Sequence, residues 1–334
     1  MRVPAVVRWP FRIALAALAL VGAGATTLAW MIATPTQIPP PLASISNDVR
    51  KIDDQGLPGL SYFQARDQTF LAYRDYQPLP GGNGRIAIVV HGSSAQSPVM
   101  HAVGKALAAA GVRAIAVDMR GHGHSGTRGD IAYMGQLDDD LADLVAHLRK
   151  TSGDGPISLV GHSIGGGYAL RIAGSAYGNL FDQYVLLAPQ LTPSAPSSRP
   201  GSGGWALPNI RRIVALSVLD RVGIHCCDAL SVIAFALPDR ALPFTTRIYS
   251  YRLLANFGVI FGYKEALARA THPITVIAGA NDELMMAENY EEAMRRPGLD
   301  VKSIVLPGVT HMGVVNEPSA LDAIVRTVRG AMSN

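Results

Sequence analysis

Two cysteines are all that this chain of 334 residues contains, and they stand side by side at Cys226 and Cys227. Adjacent cysteines cannot staple distant segments, so the sequence carries no disulfide framework and does not reveal a redox compartment. Both read as small buried apolar residues. Charge is also scarce, at 16% of residues, and no acid precedes Asp48. Arg2, Arg8 and Arg12 all lie in that acid-free stretch, and the net charge of +4 falls to +1 once they are set aside. No basic patch remains that would suit a nucleic acid. Repeats of solenoid or propeller period are missing too. What is present is 49% hydrophobic residues with 34 glycines and 22 prolines. That excludes a disordered chain, a coiled coil and a collagen-like fibre, and suits an α/β domain with a buried sheet. The length allows a core without metals or disulfides.

One long uncharged run stands out, IALAALALVGAGATTLAWMIA from Ile13 to Ala33. As a helix rising ~1.5 Å per residue it spans ~30 Å, the thickness of a hydrocarbon core. Arginines flank only its N-terminal side, which leaves the N-terminus cytoplasmic and the rest of the chain outside. An uncleaved membrane anchor is therefore expected. A cleaved signal peptide is the alternative, because Ala23-Gly24-Ala25 is a small-residue cleavage site, with Thr26 as the new start. Either way the domain is exported, as an anchored or as a secreted or periplasmic protein. The stretch TPTQIPPPLAS (34–44) reads as a Pro-rich, semi-rigid spacer. The expected organisation is a leader over 1–34, a linker over 35–58 and a catalytic domain over 59–334.

Within that domain strand and helix signals alternate. LSYFQARDQTFLAYRD reads as a hairpin, RIAIVV as a strand buried on both faces, and VRAIAV, ISLV, QYVLL, ITVIAG and VKSIVL as further strands. Helical spacing falls between them, as in MHAVGKALAAAG, LDDDLADLVAHLRKT and PSALDAIVRTVRGAM. The pattern predicts a mostly parallel sheet covered by helices on both faces. It breaks between about 190 and 271, where no clear buried strand is visible. Apolar pieces such as IRRIVALSVLD, ALSVIAFALPD and YSYRLLANFGVIFG predict an inserted helical cap over the sheet's carboxyl edge.

The strongest chemical signal is Gly161-His162-Ser163-Ile164-Gly165, a G-x-S-x-G between a strand and a helix. A tight turn there pushes a serine hydroxyl out at the top of the sheet. The helix N-terminus beside it leaves the Ile164 N–H free for an oxyanion. A serine needs a base, and His311, directly after the last strand, is best placed among nine histidines. His91, His122, His124 and His162 read as structural or supporting groups. Asp282 follows its strand immediately and can orient the base, with Glu283 as the fallback. The second oxyanion donor is expected from His91-Gly92-Ser93-Ser94, at the Ser93 N–H, with Ser94 as the alternative. Two other patterns are weaker. Gly121 to Gly126 spells G-x-G-x-x-G, but no helix opens on those glycines as a dinucleotide site requires. His122, His124 and Asp118 have zinc-ligand chemistry without a supporting spacing.

Taken in order, HGSS, DMRGHGHSG, GHSIGG, GANDELM and GVTHMG resemble an α/β-hydrolase, and specifically the monoacylglycerol-lipase, lysophospholipase and serine-aminopeptidase-like (S33) group. The resemblance implies that fold, a Ser163–His311–Asp282 triad, no metal or organic cofactor, and small-molecule or lipid ester substrates. An S33-type peptidase is a further reading, with Asp228 or Asp239 of the cap receiving a substrate amine. So is an acyltransferase with an alcohol acceptor. A binding protein on a hydrolase fold would be expected to have lost one of these positions, and all are present. Neither oligomeric state nor substrate identity is readable.

Overall fold

The computed structural model describes residues 5–45, 54–79, 82–238, 243–259 and 262–330. Among them, eight strands form one sheet: β1 (Leu60–Gln64), β2 (Phe70–Tyr76), β3 (Ile86–Val90), β4 (Arg113–Val117), β5 (Ile157–His162), β6 (Gln183–Leu187), and two further strands at Ile274–Gly279 and Val301–Leu306. The expected hairpin is present, with Leu60 opposite Arg74 and Gln64 opposite Phe70. β2 runs antiparallel to β4, and the remaining neighbours pair in parallel. The order β1-β2-β4-β3-β5-β6, then Ile274–Gly279 and Val301–Leu306, puts β3 and β5 side by side in the interior. Their sequences, IAIVV and ISLVGH, are buried throughout, which is why they read as apolar runs rather than as alternating ones.

Helices cover the sheet. α1 (Ala5–Ala33) precedes it and α2 (His101–Ala109) joins β3 to β4. α3 (Gln136–Ser152) carries Asp138 and Asp139 in its first turn and Arg149 and Lys150 in its last, as the helix dipole favours. Its Asp138 also receives the guanidinium of Arg171 from α4 (Ile164–Ala173), at 2.6 and 2.7 Å. That ion pair ties the helix behind Ser163 to the neighbouring layer.

The segment from 190 to 271 departs from the helical expectation. It contains a second sheet of three antiparallel strands, β7 (Ala206–Pro208), β8 (Ser231–Phe235) and β9 (Ile248–Ser250). Three helices accompany it: α5 (Ile210–Arg221), α6 (Tyr251–Phe257) and α7 (Tyr263–Arg269). ALSVIAFALPD becomes β8 because its short apolar run is sealed between two partner strands; periodicity alone does not separate that case from a buried helix. The chain then returns through β10 (Ile274–Gly279), α8 (Tyr290–Ala293), β11 (Val301–Leu306) and α9 (Pro318–Arg329).

Two further expectations change. Cys226 is exposed and Cys227 half-buried, in the turn after α5, so neither is a core residue. The Pro-rich stretch does not stand clear of the domain. Thr36 Oγ1 donates to the Ser231 carbonyl at 2.6 Å, the Leu42 N–H donates to the Ala236 carbonyl at 2.9 Å, and Ile45 is buried. Much of the remaining linker, 46–53, lies outside the described residues. α1 itself has an apolar stretch from Arg12 to Ala33, long enough to cross a membrane, with none of its most apolar window buried.

Candidate active site

Ser163 sits at the junction of β5 and α4 with φ 55° and ψ −119°, a conformation that L-residues rarely adopt. Such a backbone persists only where its surroundings enforce it. Here the Ser163 N–H donates to the Leu187 carbonyl at 2.8 Å, and its carbonyl accepts from Gly166, Gly167 and Gln190. The turn also needs its glycines. A Cβ at Gly161 would overlap the Gly165 carbonyl, and one at Gly165 would overlap the His91 carbonyl. Strand β3 and the α4 turn therefore approach more closely than any side chain allows.

Asp282 and His311 arrive from two neighbouring strands of the same edge. Asp282 follows β10 and His311 follows β11. His311 Nδ1 lies 2.8 Å from Asp282 Oδ2, and both side chains are almost wholly buried. Asp282 Oδ1 accepts the backbone N–H groups of Leu284 and Met285, each at 2.8 Å. Burial pushes the Asp282 carboxyl up, but the adjacent His311 and these donors outweigh it and hold the group below its ordinary value. An ionised Asp282 can only accept, so His311 Nδ1 carries the proton and Nε2 is left as the basic nitrogen. Glu283, the fallback, serves a different atom: its Oε2 accepts the His311 backbone N–H at 3.1 Å.

Ser163 and His311 line one cavity of about 540 Å³, together with Gly92, Ser93 and apolar side chains such as Val99 and Leu237. Asp54 and Arg74 also reach it. The loop after β3 separates the two oxyanion candidates. The Ser94 N–H donates to the Tyr249 hydroxyl at 2.6 Å, so it is committed elsewhere. No protein acceptor for the Ser93 N–H is found among the described residues, and the same holds for Ile164 at the start of α4.

The other histidines support this edge. His162 Nε2 lies 3.1 Å from the His311 carbonyl, and the two rings are 4.7 Å apart. Burial and the nearby His311 press the His162 pKa down to about 3, so its ring stays neutral and Nε2–H donates. His122 is held neutral by burial first and by the adjacent His91 second. Its Nε2 is 2.6 Å from the Tyr249 hydroxyl, which fixes a relay from Ser94 N–H through Tyr249 to His122. That bond also draws His122 away from a metal role with Asp118, whose carboxylate instead accepts the Ser97 and His124 N–H groups. Asp228 turns to His225 at 3.1 Å and is not among the cavity's lining, while Asp239 lies outside the described residues. Among the described residues the one group with metal-ligand spacing is Asp220, His225 and Asp228, in the cap.

Three residues of this site carry no signal in the sequence. Trp205 Nε1 donates to Ser93 Oγ at 2.7 Å. Tyr249 receives Ser94, as above. The Arg199 guanidinium donates to the Asp282 and Met285 carbonyls, bracing the acid's loop. All three come from the segment between 190 and 271, far along the chain from the groups they hold.

The family model described as serine aminopeptidase, S33, matches residues 83–319, which is most of the chain and includes every group named at this edge except Asp54 and Arg74. The chain belongs to the S33 family of α/β-hydrolases. Among curated relatives, this S33-family hydrolase is 26% identical over 262 residues to Esterase Rv0045c of Mycobacterium tuberculosis, covering 74% of this chain and 84% of that protein. A shorter stretch of 109 residues is 36% identical to the non-heme chloroperoxidase CPO-A1 of Kitasatospora aureofaciens; it spans 33% of this chain and 36% of that one. Solved structures share the fold. A soluble variant of monoglyceride lipase from Saccharomyces cerevisiae superposes with a TM-score of 0.60 at 15% identity, over 82% of this chain and 94% of its own. The monoacylglycerol lipase of Paleococcus ferrophilus gives 0.54 at 19% identity, over 77% and 98%.

Proposed function

We propose that this hydrolase cleaves carboxylic esters through Ser163, His311 and Asp282. The observation that carries the reading is the 2.8 Å bond from the His311 ring to a buried, ionised Asp282, behind a cavity that Ser163 enters from a strained turn. Ser163 Oγ attacks the ester carbonyl carbon as His311 Nε2 takes its proton. The carbonyl oxygen, now negative, is held by the Ser93 and Ile164 N–H groups. The tetrahedral adduct collapses, and the alcohol leaves with the proton from His311. Water, deprotonated by the same nitrogen, then releases the acid and regenerates Ser163. Asp282 keeps the imidazole in the productive tautomer and stabilises its positive charge.

The mainly apolar cavity supports an acyl chain or another hydrophobic ester part as the group bound there. The esterase and monoacylglycerol-lipase names of the relatives agree with that class. Asp54, the acidic side chain in the lining, keeps one specific observation for an S33-type peptidase, because it could receive a substrate amine. A fluorophosphonate probe tests the nucleophile: wild type labels and Ser163→Ala does not, and equal labelling of both overturns the assignment. A matched p-nitrophenyl ester and aminoacyl anilide then separate the two activities, with the ester expected to be turned over far faster. Product analysis with added glycerol separates hydrolysis from acyl transfer, free acid being the expected product. We read α1 as an uncleaved anchor with its N-terminus cytoplasmic and the catalytic domain outside, supported by its length and its one-sided arginines. A mature N-terminus at Thr26 overturns that.

A further inference from the structure

The end of α1 is fastened to the cap. Arg212 Nε donates to the Ile32 carbonyl at 2.8 Å, and Asn209 Nδ2 donates to the Thr34 carbonyl at 2.9 Å. The Arg211 guanidinium stacks 5.0 Å over the Trp30 ring. These contacts place the last turn of the apolar helix against the first turn of α5. If α1 spans a bilayer, α5 begins where the chain leaves it.

α5 has two faces. Arg212, Ala215 and Leu216 are buried against the domain. Ile210, Val214 and Val218, spaced four apart, and Val222, the C-cap residue that follows them, are between 41% and 66% exposed. Residues at that spacing form one continuous stripe along a helix. Single exposed apolar residues need no explanation, but an uncharged stripe of four β-branched side chains does. They cost helix propensity as well, which water-facing positions have no reason to give up. Exposed Arg211 and Arg221 sit beside the stripe at either end of the helix. Apolar residues on one face with flanking cations is the chemistry of a helix lying in a membrane interface, where phosphate headgroups meet acyl chains.

We propose that the outer stripe of α5 rests on the phospholipid bilayer in which α1 is inserted, so that the cap is held on the membrane surface by two adjacent contacts. This goes beyond ester hydrolysis and rests on the anchor reading of α1, not on the reaction. The route from the membrane to the cavity is then short. The chain runs from Thr34 along β8 to Ile45, which is itself part of the cavity wall. An amphiphile dissolved in the outer leaflet would meet the cap before it met bulk water.

The test uses the full chain reconstituted in phosphatidylcholine vesicles containing phosphatidylglycerol. In a Cys226→Ser/Cys227→Ser background, an NBD fluorophore is attached at Val218→Cys or, as a control on the outer strand of the main sheet, at Val305→Cys. Lipids bearing a nitroxide should quench the Val218 site about twofold or more, as for a side chain ~5–10 Å into the interface, and leave the Val305 site unquenched. Moving the probe to Val222→Cys and adding Val214→Glu/Val218→Glu should abolish quenching while the melting temperature stays that of the parent. Equal quenching at Val218 and Val305, with the protein still in the pellet after alkaline carbonate, overturns the docking and leaves the anchor intact. Release by carbonate overturns both. An unquenched Val218 site that cross-links to a second copy overturns the docking in favour of an interface between chains.

Discussion

The sheet edge and the cap both place groups around Ser163, and they do so by different physics. At the edge, position is a property of the backbone. Ser163 is forced out by a turn whose glycines touch neighbouring carbonyls, and Asp282 and His311 are delivered by two parallel strands paired from Ile274 opposite Val301 to Gly279 opposite Leu306. In the cap, position is a property of single side chains. Trp205, Tyr249 and Arg199 each reach in with one or a few hydrogen bonds and support a loop that the edge already supplies. Changes at the edge should therefore remove chemistry, and changes in the cap should retune it.

The sharpest break is Ser163→Ala. It should lower kcat by ~10⁴–10⁶ with little change in melting temperature, since losing one member of a unit that acts together costs nearly the whole of it. Steady-state ester hydrolysis and calorimetry check both halves. Next, Asp282→Asn should cost ~10³–10⁴ in kcat by stabilising the wrong imidazole tautomer. Glu283→Gln, at a side chain that accepts the His311 backbone N–H, should keep most of the activity. Similar losses in the two variants would mean that Glu283 matters to the base as much as Asp282 does. In the cap, Trp205→Phe removes the indole donor to Ser93 Oγ and nothing else polar. A hydrogen bond worth ~1 kcal/mol predicts a loss of about fivefold in kcat/KM. A loss as large as that of Asp282→Asn would erase the distinction between edge and cap.

The smallest effect concerns pH. Burial holds His91, His122 and His162 below the ordinary histidine value, His162 at about 3. The unfolded chain takes up protons on these rings near pH ~6.5 and the folded chain does not. Their contribution to stability is therefore complete above that pH and declines as pH falls toward the folded values. Asp282, whose folded pKa is depressed, adds its own loss only at still lower pH. The melting temperature should drop by several degrees between pH 7 and pH 5. A flat profile over that interval would contradict the neutral, buried state of these rings.

The edge was legible in the sequence because its signals are local. A strand buried on both faces is a short apolar run, and a reactive group placed directly after such a run emerges at the carboxyl end of the sheet. Ser163 and Asp282 follow such runs, whereas His311 follows β11, an outer strand whose residues are half-buried or exposed, after a short loop. Which of two adjacent residues faces the site was less legible. Ser93 and Ser94 are the same residue type, and only the Tyr249 hydroxyl, from a strand some 150 positions further on, separates them. Asp282 and Glu283 likewise differ in the structure by which atom of His311 they meet. The cap was the least legible. Its second sheet is built from short apolar segments that suit helix and strand equally, and β8 is decided by its partners. Trp205 and Arg199 lie outside any motif, because their value comes from contacts made only after folding.

The proposed reaction depends on one covalent bond, between the acyl group and Ser163 Oγ. Rapid acid quenching during turnover of a p-nitrophenyl ester, followed by mass spectrometry of the digested protein, should find the acyl increment on the peptide that contains Ser163, and should find none in Ser163→Ala. An increment on any other residue, or an undiminished burst of p-nitrophenol from Ser163→Ala, would contradict it.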